Sequence, residues 1–130
     1  MAYYMAKTVG GDFDAVVAAV IARLKAHGFG VLTDIDVQAT LKGKIGADMP
    51  KYRILGACNP ALAHAALQQE TRLGVLLPCN VVVRQSADQR VEVASIDPVA
   101  SLERTGNEAL RPFAEQVRAA LEAVLAELAP

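Results

Sequence analysis

Two cysteine–asparagine pairs, Cys58-Asn59 and Cys79-Asn80, hold the only two cysteines of the chain. Each lies where an apolar stretch meets a proline: Gly56-Ala57-Cys58-Asn59-Pro60 in one case, Leu77-Pro78-Cys79-Asn80-Val81 in the other. A thiol supplies a nucleophile or a soft ligand atom. A neighbouring amide supplies both donors and acceptors. Paired at two such junctions, these residues suggest one shared site.

Each residue also has a plainer use. Asn59 followed by Pro60 is a helix-start signal: the amide accepts from a free backbone N–H, and proline at the first helical position loses no needed donor. Cys58 then precedes that helix, near the positive end of its dipole, where thiolates are favoured; alternatively it packs as a small apolar filler. Cys79 opens a strand, and its spacing from Cys58 is far from Cys-x-x-Cys. Asn80 has no capping explanation inside an apolar strand. A buried amide there must tie a neighbouring backbone or face a ligand. Tyr52 is expected to line the same pocket as the pairs, together with Leu77, and Asp97 to stand at its rim.

Other combinations are thinner. A zinc site needs about four ligands, or three and a water, and Cys58, Cys79, His64 and Asp97 match no compact metal motif, so no metal site is expected. Asp34 and Asp36 have the parity to share a strand face, but Asp36 also suits the cap of a following helix and Asp34 an ion pair. Arg53 and Arg84 could meet an anion at the helix beginning with Pro60; surface ion pairing is their default. No glycine-rich phosphate cradle, nucleophile elbow or dinucleotide fingerprint accompanies them, so neither a cofactor nor a catalytic residue is identified.

Composition narrows the classes. A chain of 130 residues fits a single domain spanning 1–130. Thirteen basic and fourteen acidic residues leave a formal charge of −1, no field to attract nucleic acid or an acidic membrane. No run is long and apolar enough to span a bilayer, and the segment 16–22 follows Asp12 and Asp14 rather than a basic stretch, unlike an export signal. A cytoplasmic location is the resulting expectation, one that disfavours a structural disulfide. Hydrophobic residues make up 53% of the chain, an excess that fits a surface covered by a second copy, and a homodimer is expected.

The elements that must position the pairs are legible from periodicity. Residues 1–9 form a first strand, ended by Gly10-Gly11. Phe13, Val16, Val17, Val20, Ile21 and Leu24 share one face of a helix, capped by Asp12 or Asp14 and ended near Gly28. Residues 29–37 alternate as a second strand, with Phe29, Val31, Thr33, Ile35 and Val37 on one face and Gly30, Leu32, Asp34 and Asp36 on the other. A short helix runs to about Lys44. Residues 52–57 form a third strand, 60–69 a helix with Leu62, Ala63, Ala66 and Leu67 inward, and 79–85 and 90–96 a hairpin. Pairing Val83 with Val91 and Val81 with Val93 keeps these valines on one face and places Cys79 opposite Ser95. A helix over 108–128 closes the chain. The order β-α-β-α-β-α-β-β-α predicts an α+β two-layer sandwich of a mostly five-stranded sheet with helices.

The runs Gly28-Phe-Gly-Val-Leu-Thr-Asp-Ile-Asp36, Tyr52-Arg-Ile-Leu-Gly-Ala-Cys-Asn-Pro60 and Leu77-Pro-Cys-Asn-Val81, with Asp97-Pro98, resemble the domain-of-unknown-function 302 family over nearly the whole chain. The resemblance implies a small, dimeric α+β domain of prokaryotes with no agreed activity. The leading functional expectation is a cytoplasmic homodimer that binds a small molecule around Cys58, Asn59, Cys79 and Asn80, with Tyr52 and Asp97 nearby. The alternatives are a thiol-dependent enzyme or redox protein using Cys58, and a structural interaction module.

Overall fold

The computed structural model describes residues 2–130. Its five strands form one sheet in the order β1-β5-β4-β3-β2. They are β1 (Tyr4–Val9), β2 (Gly30–Asp36), β3 (Tyr52–Cys58), β4 (Cys79–Gln85) and β5 (Val91–Ile96), and every neighbouring pair is antiparallel. Helices α1 (Phe13–Ala26), α2 (Val37–Ile45), α3 (Pro60–Gln69), α4 (Pro98–Leu102) and α5 (Arg111–Ala126) complete the α+β sandwich, with short 3-10 turns before β4 and on either side of Gly106. Met1, which the expected first strand included, lies outside the described residues.

The sheet has two unlike faces because its strands alternate. Val81, Val83, Val91 and Val93 are buried, with Leu55, Ala57 and Val9 beside them. Against this apolar face pack Phe13, Val16, Val17, Val20 and Leu24 of α1 and Val117, Leu121, Val124 and Leu125 of α5. Each fully buried side chain of this size contributes about 1.5–3 kcal/mol. The intervening residues turn the other way. A smaller cluster of Ala66, Leu73, Leu102, Leu110 and Ala114 joins α3, α4 and α5.

Caps fix where the helices begin. Asp12, Asp36 and Asn59 each accept a hydrogen bond from a first-turn backbone N–H, of Ala15, Ala39 and Leu62 respectively. Asp97 does the same for α4 through Val99 and Ala100, and its second carboxylate oxygen accepts from Nε of Arg118 on α5 at 3.0 Å. This carboxylate is only 4% exposed, so one residue both starts α4 and ties it to α5.

Three expectations are corrected. The β4–β5 hairpin is offset by two residues: Val83 faces Val93 and Val81 faces Ser95, so Cys79 is not opposite Ser95. Pairing ends at Gln85–Val91, and Asp88 stabilises the longer turn by accepting from the Ser86 hydroxyl and the Arg90 N–H. A two-residue offset preserves facing, so the valines stay on one side as expected. Along β2, a bulge between Val31 and Thr33 breaks the expected stripe. Beyond it Asp34 faces Leu55 and Ile35 faces Ile54, reversing their assigned sides. On α3, Leu67 is exposed rather than inward.

Two substitutions test this framework. A Cβ on Gly56 would stand 2.2 Å from Oγ1 of Thr33 and 2.7 Å from Cγ of Pro78. Gly56→Ala is expected to destabilise by about 1–3 kcal/mol in urea unfolding, because Thr33 must turn its side chain aside and the Pro78 ring, fixed to its own backbone, has little freedom to yield. Asp97→Ala removes the α4 cap and frees the solvent-exposed Arg118 guanidinium; a loss of roughly 1–2 kcal/mol, from the cap, is expected by the same measurement.

Candidate functional site

Residues of the two cysteine–asparagine pairs are neighbours in space. β3 lies beside β4, and the ladder pairs Ala57 with Cys79 and Gly56 with Asn80. Cys58, Asn59 and Cys79 line one small cavity with Phe29, Ala57, Ala63, Leu77, Pro78, Phe113 and Val117. Both thiols are free; Cys58 is half-buried and Cys79 buried. The cavity holds about 20 Å³, scarcely more than the space of one water molecule, and its walls are overwhelmingly apolar. It is a packing defect around two thiols, too small for an organic ligand.

Electrostatics separates the thiols. Burial, reinforced by the nearby charge of Cys58, pushes the Cys79 thiol up to about 11. Cys79 is therefore a neutral S–H throughout the physiological range. Asn59 is occupied by its cap on Leu62, at 3.1 Å.

Asn80 and Tyr52 belong elsewhere. Strand alternation turns Asn80 to the face opposite Cys79, where it is exposed, not the buried amide the sequence suggested. Tyr52 lies on that face too, on the neighbouring strand opposite Arg84, four residues along from the level of Asn80. Both line a concavity of about 500 Å³ bounded by Tyr3, Tyr4, Val82, Arg84, Glu92, Ala94 and Ile96. Its floor is the aliphatic side of the middle strands, and three tyrosines stand around it. The Arg84 guanidinium donates to Glu92 at 2.9 Å across the strands, supplying a paired charge at one end. Periodicity pointed to the hydrophobic stripe and left this outward set unread as a site. The signal available was the alternation itself: Tyr52, Ile54, Val82 and Ala94 are too apolar for a face left to solvent.

The remaining candidates do not converge. Asp97 is committed to α4 and Arg118 and lines neither cavity. Asp36 caps α2, while Asp34 accepts from Nε of Arg53 at 2.7 Å and from the same guanidinium's second nitrogen. That hydrogen bond holds the Asp34 carboxyl below its usual range and raises the arginine. The strand order puts two strands, β3 and β4, between β2 and β5, so these carboxylates do not gather around Asp97. His64 is exposed and bonds Gln68. Among the described residues no group of three or more His, Cys, Asp or Glu side chains could hold a metal ion, and no helix is long and apolar enough to cross a membrane.

Taken together, the chain is a one-sided antiparallel α+β sandwich with a thiol-lined defect at one end of the sheet and an unfilled apolar face. It belongs to the family described as "Domain of unknown function DUF302", whose model matches residues 5–128. It is similar to the crystal structure of an uncharacterized conserved DUF302 protein from Bacillus stearothermophilus, at a TM-score of 0.90 and 27% identity, covering 97% of this chain and 98% of that one. No curated protein matches it.

The unequal burial of the thiols predicts their labelling. Iodoacetamide at pH 7 should modify Cys58 alone in the folded protein, with Cys79 reacting only after denaturation. Tryptic mass mapping reads the difference. Raising the pH to about 9 should not release Cys79, since its titration lies higher still.

Proposed function

We propose that this chain is a homodimeric small-molecule-binding domain whose ligand sits in the concavity on the open face of the sheet. The observation that supports the reading is the combination of size and lining. A volume of about 500 Å³ falls within the roughly 300–1,000 Å³ of small-molecule sites, and such sites join apolar walls to a few polar groups. Here Val82, Ala94 and Ile96 form the floor, Tyr4 and Tyr52 give flat contact area, and Asn80, Arg84 and Glu92 fix orientation. Asn80 and Tyr52, singled out from the sequence, take part. Cys58, Asn59 and Cys79 support the adjoining end of the sheet and do not touch the ligand.

A second copy supplies the missing roof. Useful affinity for a small molecule requires most of its surface to be covered, and a bare sheet face covers only one side. The face spans five strands, on the order of 24 Å by 20 Å from strand spacing and rise. That footprint is about 480 Å², some three fifths of the roughly 800 Å² per partner of a standard interface, and Tyr3 at 72% and Tyr4 at 46% exposed on its margin enlarge it. Sheet-on-sheet packing is a common way to bury such a surface.

Two measurements test the reading. Light scattering should give a dimer for the native chain and a monomer for Ala94→Arg, which places a charge at the centre of the face. A library of small carboxylic acids and heterocycles screened by thermal shift should yield hits that Asn80→Ala weakens at least tenfold. A native monomer, or hits indifferent to both substitutions, would overturn it.

A further inference from the structure

We propose that the open face accepts an uncharged aromatic ring carrying a hydrogen-bond acceptor and a donor side by side on one edge: an aromatic carboxamide or a lactam-bearing heterocycle. This rests on the open face being a ligand site, as proposed above, and specifies the chemical class that the site takes.

The charges on the face favour a neutral ligand. Among the described residues lining the concavity, Arg84 is the one cation and Glu92 the one anion. They already satisfy each other, with Nε of the guanidinium donating to the carboxylate at 2.9 Å. A ligand carboxylate would have to share that guanidinium with Glu92, which sets two anions around one cation. A ligand ammonium would have to share Glu92 with Arg84. Covering the face with a second copy removes the water that could relieve either arrangement. That copy brings another matched pair and no spare charge.

The register favours a flat ring. Side chains on this face stand in three ranks across the strands. Glu92, Arg84 and Tyr52 are level in the first. Ala6, Ala94, Val82 and Ile54 are level in the second. In the third, Tyr4 faces Ile96, and Asn80 stands one residue before the pair Val81–Ser95, level with Ile96. The outer ranks are four residues apart, about 13 Å along the strands, with apolar side chains between them. Ala6 and Ala94 make the floor lowest beside Tyr4, whose ring meets that of Tyr3 in edge contact at 5.1 Å between centroids. An aromatic ring laid over the alanines gains offset or edge contacts with the tyrosines that a puckered saturated ring does not.

Asn80 favours the paired edge. Of the three asparagines in the chain, Asn59 and Asn107 commit their side-chain oxygens to helix starts. Asn80 starts no helix and stands exposed at the concavity. Its amide presents an acceptor and a donor in one plane, the complement of a ligand edge that carries the same two groups. Covering that amide without such a partner is costly, so rings with a bare edge are disfavoured.

The test titrates the native chain with three probes of similar size: benzamide, benzoate and cyclohexanecarboxamide. Binding is followed by the amide chemical shifts of Asn80, Val82 and Ala94. Benzamide should bind roughly tenfold tighter than benzoate and roughly fivefold tighter than the saturated amide. Glu92→Gln leaves the Arg84 charge unneutralised and should raise the affinity for benzoate about tenfold. Benzoate matching benzamide on the native chain, the saturated amide matching it, Glu92→Gln without a gain for benzoate, or shifts confined to another surface would each overturn the proposal. So would a failure of benzamide to bind. A ligand of another class, found by the thermal-shift screen and weakened by Asn80→Ala, would sink this class and keep the site. A chain that binds neither the probes nor any library member would sink both.

Discussion

The whole structure depends on one alternation. In β4 and β5, Val81, Val83, Val91 and Val93 point to the helices while Val82, Arg84, Glu92 and Ala94 point away. Burying the first set against α1 and α5 drives the sheet and helices together, and the pleat then obliges the second set to stand on the other side. The concave face is thus a direct consequence of the core. It cannot be removed without changing the period of the strands.

That constraint also explains why the two cysteine–asparagine pairs split. Adjacent residues on a strand face opposite ways, so Cys79 goes to the core and Asn80 to the open face. Cys58 is the last residue of β3, still paired with Gly30, and Asn59 after it is taken up by the start of α3. Three members gather at a cavity little larger than a water molecule; the fourth joins Tyr52 over a concavity large enough for a ligand. The thiols and the open face are therefore neighbours through the sheet and separate as chemistry.

Much of this was legible in advance. The α1 stripe, the hairpin valines, the Asn59-Pro60 helix start and the Asp36 cap are local patterns, and each stands where local rules put it. The misreadings have one character. The bulge in β2 depends on how that strand meets β3, and the hairpin offset depends on how Asp88 organises its turn. Neither is visible in composition or period. Asp97 was read as a rim residue because its partner Arg118 is distant in the chain; only folding brings that guanidinium to its carboxylate.

By itself, then, the order of residues determined the elements, the inward sides of α1 and of the β4–β5 hairpin, the family pattern and the proximity of chemistry to the β3–α3 and β4 junctions. These follow from periodicity and capping, which act over a few residues. Tertiary structure decided strand order, register, and which of the singled-out groups share a space. Those are properties of contacts between segments far apart in sequence, where a single inserted residue or strand end changes which face a side chain meets.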